Sequence, residues 1–326
     1  MTHQNNSVIF SDNSAYLTTL TLLPLEFTLQ FEKPINPWLF FGSTLRGGLG
    51  FMLKRFVCIR RDKICEKCPI RINCIYKKLF EPTTENFSSI FKGVHDLPRP
   101  FILNVSDIQN ESTDELKFGL TLIGDSAKNA HYFINAFIEL GDKGISKEKL
   151  KYKAISVTSF NAAIYTREAE LVKIPLPTQI VGEDSGIDGV ISVELNFITP
   201  VRIKEKGSYY WSGSFSPLFR SLLRRITLLE TLYCGASPER NIQELLTISD
   251  EVKLIEMKRR FRDQRRYSKR LDKITLHGGY LGKFVYANFN PQLISLLRIG
   301  ERIHIGHNAT FGMGEFKLDL LQPSLK

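Results

Sequence analysis

The chain has 326 residues, 43% of them apolar, 23 of them phenylalanine, and a formal net charge of +10. That supplies core material for two modest domains, and no run approaches the roughly 18 apolar residues of a membrane span. The positive balance points to an anionic partner, either nucleic acid or a membrane surface. It is also concentrated: cations exceed acids by six within residues 55–78 and by six again within 251–273, which leaves the remainder slightly acidic. The first residues lack the cationic start and apolar run of a secretion signal, so a cytoplasmic protein is expected. Four of the five cysteines are clustered, which argues against a dispersed disulfide framework.

In chain order, residues 1–15 are a polar tail and 16–31 read as a strand ended by Pro34 and Pro37. Residues 43–56 read as a helix, with Leu45, Leu49, Met52 and Phe56 on one face and Ser43 as N-cap. A basic, cysteine-bearing insertion spans 57–82. Strands follow at 101–105 and 117–123, a helix at 127–140 and further strand within 150–174. Pro175, Pro177, Gly182, Gly186 and Gly189 mark a linker. The order then repeats: strand 190–198, helix 216–233 capped by Ser216, strand 279–288, short helix 291–297 and strand 315–321. Read as a helix, the basic segment 251–273 places Arg259, Arg262, Arg266, Lys269 and Lys273 on one face; part of it may also be read as loop. The expected fold is α+β, two tandem ferredoxin-like (βαββαβ, RRM-like) domains over 1–180 and 181–326.

Two motifs carry chemistry. Cys58, Cys65, Cys68 and Cys74 are spaced C-x6-C-x2-C-x5-C. Four thiolates so close read as a metal site, structural zinc by default; an iron–sulfur cluster takes the same ligands, and unliganded thiols are the plain alternative. Cys234, at the end of an apolar helix, reads as core. Near the C-terminus, Gly306, Gly312 and Gly314 surround Phe311. Such a loop is either an ordinary hairpin or a place where backbone approaches phosphates and unstacked bases.

Several short motifs, in a shared order, resemble one known family. They are Leu45-Arg46-Gly47; the cysteine run with Tyr76 and Leu79-Phe80-Glu81-Pro82; and Pro98-Arg99-Pro100-Phe101. Thr199-Pro200-Val201-Arg202 follows, then Arg266-Tyr267-Ser268-Lys269-Arg270 before Gly278-Gly279-Tyr280-Leu281-Gly282, and His304-Ile305-Gly306 running into Phe311-Gly312-Met313-Gly314. The chain resembles the CRISPR-associated endoribonucleases of the sixth Cas family, in the RAMP superfamily, which cut repeat-spacer transcripts (pre-crRNA) into guide RNAs (crRNA). The resemblance implies two ferredoxin-like domains, a CRISPR repeat RNA as substrate, other Cas proteins as partners, no membrane, and metal-independent cleavage that needs no cofactor and leaves a 2′,3′-cyclic phosphate.

That reaction needs a base on the 2′-oxygen, an acid on the leaving 5′-oxygen and cations for the phosphorane. Many family members carry a catalytic histidine in or before the first helix, but no histidine stands between Phe31 and Cys58 here. Arg46, Ser43, Thr44 and Lys54 are the polar residues available there, and Arg46 suits phosphate charge rather than a base because it stays protonated. The catalytic candidates are therefore His304 and His307 at the mouth of the glycine loop, then His277, with Tyr267 among its arginines and Arg46 for phosphate charge. A satisfied strand histidine is the alternative for His304. The expected RNA contacts are Arg259, Arg262, Arg266, Lys269 and Arg270, with Gly306, Phe311, Gly312 and Gly314. Two other readings compete: a RAMP subunit that binds guide RNA without cutting it, and a redox or metal-sensing protein built on the cysteines.

Overall fold

From Leu23 to Phe31 every second residue is a large apolar one, a period that suits a strand with one buried face. In the computed structural model this stretch lies in β1 (Thr21–Ile35), with Leu23, Leu25, Phe27, Leu29 and Phe31 buried and Glu26 exposed. The structure describes residues 18–36, 41–60, 62, 64–86, 97–106, 111–168, 174–180, 191–209, 211–235, 239–263, 265–268, 273–276 and 278–321. After β1 come α1 (Phe41–Val57), α2 (Ile75–Phe80), β2 (Phe101–Asn104), β3 (Thr113–Ile123), α3 (Ala130–Lys143), β4 (Tyr152–Ser159), β5 (Ala162–Thr166) and β6 (Thr178–Gln179). The strands form one antiparallel sheet in the order β2-β3-β1-β4-β5, with β6 on β1. Leu45, Leu49 and Met52 of α1 and Phe133, Ile134 and Phe137 of α3 share its core. Phe27 stacks on Phe118 across the register at 5.0 Å and meets Phe137 of α3 at the same distance.

The second half repeats the plan: β7 (Ile191–Val201), α4 (Phe215–Tyr233), α5 (Ile242–Glu251), β8 (Lys253–Arg262), β9 (Arg265–Ser268), β10 (Lys273–Leu276), β11 (Gly279–Phe289), α6 (Ile294–Ile303) and β12 (Phe316–Leu321). Its four-stranded antiparallel sheet has the order β12-β7-β11-β8, and β9 pairs with β10 as a separate ribbon. The molecule is thus mixed α+β with two antiparallel sheets, consistent with the tandem ferredoxin-like expectation. Two local readings are corrected. Helix α4 starts after Ser214, and Ser216 instead donates its hydroxyl to Asp250. The basic segment is not a helix, so its cations share no helical stripe. It lies along β11, setting Leu254 opposite Tyr286, Met257 opposite Phe284 and Phe261 opposite Tyr280. Cross-strand partners for its apolar residues outweigh the helical spacing of its cations.

The two sheets meet through a shared core. Leu20, Leu22, Ile102 and Ile123 of the first unit cluster with Trp211, Phe219 and Leu222 of the second. At this seam Glu230 of α4 is fully buried. It accepts two bonds from the Arg240 guanidinium at 2.7 Å, one from the Thr18 hydroxyl at 2.5 Å and one from the Thr19 N–H at 3.3 Å. Removing one partner of a buried ion pair strands the other charge, which costs about 3–5 kcal/mol. Glu230→Ala is therefore expected to lower unfolding stability by about that amount in urea titrations, well beyond the effect of Glu26→Ala on the exposed face of β1.

Candidate functional site

Helix α6 ends at His304, whose φ of 60° turns the chain sharply into the glycine loop. The loop is fastened by its own backbone. The Ile305 N–H donates to the Gly314 carbonyl at 2.9 Å, and the Gly314 N–H donates to the Pro200 carbonyl at 3.0 Å. A Cβ at Gly314 (φ 78°) would lie 1.8 Å from the Ile305 oxygen, so only glycine permits this closure. Between them, Asn308 and Gly312 take left-handed conformations around one short turn, Ala309–Phe311.

Helix α1 comes down onto this loop. A Cβ at Gly42 would stand 2.2 Å from the Phe311 carbonyl oxygen, which shows how closely the two backbones approach. One turn further on, the Arg46 guanidinium lies 4.4 Å from the centre of the Phe311 ring and 4.5 Å from that of Phe80 in α2. Its Nε donates to the Thr310 hydroxyl at 3.2 Å. Phe311, Gly312 and Gly314 are buried, whereas Gly306, His307 and Asn308 remain partly exposed.

At the open side of the loop the His307 ring meets Tyr209 edge-on, with centroids 5.3 Å apart and planes at 89°. The Arg202 guanidinium lies 3.8 Å from the centre of that same Tyr209 ring. The His307 N–H donates to the Arg202 carbonyl at 3.0 Å. An imidazole, a phenol and a guanidinium therefore stand together at the surface, the groups that metal-free phosphodiester chemistry uses. In β8 the strand alternation puts Lys258, Arg260 and Arg262 on one face, all exposed. Arg259 faces the other way, against the Tyr280 ring at 4.4 Å and onto the Trp211 carbonyl.

Residues 195–316, which contain this loop and strand, match the family described as CRISPR-associated endoribonuclease Cas6. Within this chain, residues 195–316 are thus similar to the Cas6 endoribonuclease family. Residues 20–176 match a second family, described as an N-terminal domain. An uncharacterized protein of Archaeoglobus fulgidus is 24% identical over 305 residues, covering 92% of this chain and 98% of that one. A solved Thermus thermophilus Cas6 superposes with a TM-score of 0.50 at 16% identity, covering 93% of this chain and 99% of that one. A Cas6 product complex gives 0.52 at 14% identity, covering 92% and 99%.

The structure separates the sequence-predicted site residues sharply. His304 is 1% exposed, with Nδ1 3.1 Å from the Met313 carbonyl and Nε2 4.0 Å from Glu315. Burial, and then the Arg225 charge, push its pKa down to about 3, against a small opposing effect of the Met313 bond. It is therefore a buried group held neutral and away from solvent. Arg46 is engaged by two rings and Thr310 rather than presented to a ligand, and the buried Phe311, Gly312 and Gly314 offer no surface for RNA. His307 is the glycine-loop histidine that reaches solvent. Arg266 and Tyr267 lie in β9, where Tyr267 pairs with Ile274. His277, Lys269 and Arg270 fall outside the described residues.

The expected closed zinc site is not formed as the thiols are placed. Among the described residues, no group of three or more His, Cys, Asp or Glu side chains is arranged to hold a metal ion. Cys58 Sγ is turned toward the Arg60 carbonyl at 3.6 Å, while the Arg60 guanidinium crosses to the Lys67 carbonyl at 3.0 Å. All four thiols are free and half-buried, and all four border one hollow of about 20 Å³. Among the described residues, no helix is long and apolar enough to cross a membrane.

Sequence reasoning did not single out Tyr209, Lys258 or Arg260. Tyr209 sits in a loop with no periodicity, and a helical reading scattered the strand's basic face. The buried His304 has its own consequence for pH. The unfolded chain binds this proton near 6.5, whereas the folded chain takes it up only near 3. Its contribution to stability is thus complete above about 6.5 and is lost as the pH falls toward 3. His304→Gln should flatten that part of the stability–pH curve measured by denaturant titration.

Proposed function

We propose that this chain binds a CRISPR repeat RNA and cuts precursor transcripts into guide RNAs by metal-independent transesterification. The observation that carries the reading is the Cas6 match across residues 195–316, with His307 presented at the mouth of the loop inside that span. In this reaction the 2′-oxygen bonds to phosphorus as the bond to the 5′-oxygen breaks, leaving a 2′,3′-cyclic phosphate and a 5′-hydroxyl. His307 accepts the 2′-proton, and the exposed cations of β8 track the RNA backbone. The Cas6 product complexes support cutting over binding alone. A solved assembly described as a partial Cas6-RT-Cas1–Cas2 complex gives a TM-score of 0.51 and supports other Cas proteins as partners. The domain division at about residue 180 and two ferredoxin-like folds belong to the same reading.

The test is cleavage of a repeat RNA in EDTA. The parent protein should make a single cut ending in a cyclic phosphate, and His307→Ala should lower the single-turnover rate at least about 100-fold with affinity nearly unchanged. Tight binding with the RNA left intact would favour the non-catalytic subunit. Parent-rate cutting by His307→Ala would place the proton transfer elsewhere.

The same reading keeps zinc for the four cysteines on two grounds, their C-x6-C-x2-C-x5-C spacing and the hollow they share. Thiols lose their protons and are gathered by the ion itself, so a metal-free chain need not hold them in ligating positions. About one zinc per chain is expected on elemental analysis of protein purified without chelator. Metal-free protein whose melting temperature ignores both added zinc and chelator would remove the site.

A further inference from the structure

Arg202 follows the last residue of β7, and its guanidinium lies 3.8 Å from the centre of the Tyr209 ring. Edge contact brings His307 to the same ring, 5.3 Å between centroids. Backbone geometry fixes this second contact. The His307 N–H is bonded to the Arg202 carbonyl, and Gly306 (φ 84°) passes so near that a Cβ there would lie 2.6 Å from the same oxygen. One ring therefore sets the spacing between a permanent cation from the end of β7 and an imidazole from the glycine loop. Tyr209 is 41% exposed, and Lys204 and Lys206 in the same loop are exposed as well. The loop carries positive charge outward at the point where the histidine emerges.

We propose that Arg202 is a catalytic residue that meets the scissile phosphate, and that Tyr209 is a positioning residue holding Arg202 and His307 at a set distance from each other. The inference rests on the reading of His307 given above. In the step, the 2′-proton passes to His307, the O2′–P bond forms, the P–O5′ bond breaks, and the 5′-oxygen takes a proton from water. Arg202 neither gains nor loses a proton. Its planar fork offers paired N–H donors to the non-bridging oxygens as the phosphorane gathers charge. A lysine keeps the charge but loses both the fork and the stacking on the ring.

Single-turnover cleavage in EDTA, at saturating protein, tests this with a repeat RNA that the parent chain cuts. Arg202→Ala and Arg202→Lys should each lower the rate about 100-fold or more, with the dissociation constant shifted by only a few-fold. Tyr209→Phe keeps the ring and should cut within about twofold of the parent, whereas Tyr209→Ala should fall at least about tenfold. Matching melting temperatures show that each variant is folded. If His307→Ala stops cleavage while Arg202→Ala and Arg202→Lys cut at the parent rate, the role of Arg202 fails and the His307 reading stands. If Tyr209→Phe loses as much as Tyr209→Ala, the phenol itself acts and the positioning role fails. If His307→Ala also cuts at the parent rate, the underlying site reading is the one that fails.

Discussion

The Arg46 guanidinium between Phe80 and Phe311 is the contact on which the arrangement of this protein turns. It joins three pieces: the first helix, the short helix that follows the clustered cysteines, and the glycine loop more than 220 residues further on. Two glycines make room for it. Gly42 lets α1 reach the Phe311 carbonyl, and a Cβ at Gly50 would strike the Phe80 ring at 2.4 Å. A cation held by two aromatic faces is partly desolvated and directional. The loop is therefore braced from the N-terminal side, as well as by its own bonds to Pro200 and Ile305.

Bracing explains why two histidines three positions apart behave so differently. His304 closes α6 and lies inside the brace, where its imidazole meets a carbonyl and stays neutral. His307 follows the turn at Gly306, just outside it, and rests on Tyr209. The same fold that buries one histidine leaves the other partly exposed. Arg46, which the resemblance suggested for phosphate charge, is engaged by two rings and Thr310, while Arg202 at the end of β7 lies on Tyr209 and the cations along β8 are exposed.

Much of the fold was legible in the sequence because its signals are local. The alternation of Leu23 to Phe31 gives β1, and the apolar spacing of Ala130, Phe133, Ile134 and Phe137 gives α3. The basic segment was not legible. Its cations fit a helical period, and the deciding factor was a partner strand that follows it in the chain, with Tyr280, Phe284 and Tyr286 waiting for its apolar residues. The site was legible only in part. A lone tyrosine in a polar loop carries no pattern, and whether a loop residue such as Phe311 faces solvent depends on a helix more than 250 residues away. The cysteine spacing was plain, but spacing alone does not bring four sulfur atoms to one point.

The bond from Arg46 to Thr310 spans 264 positions. During synthesis α1 emerges long before its partner ring and hydroxyl. The first sheet can form while the chain is still growing, but the brace between α1 and the glycine loop waits for Thr310 and Phe311. Contacts of such long reach close late, because the entropy of a long loop is lost before they stabilise anything. Truncation before residue 310 therefore leaves the strands of the first sheet present and the glycine loop without its brace on α1.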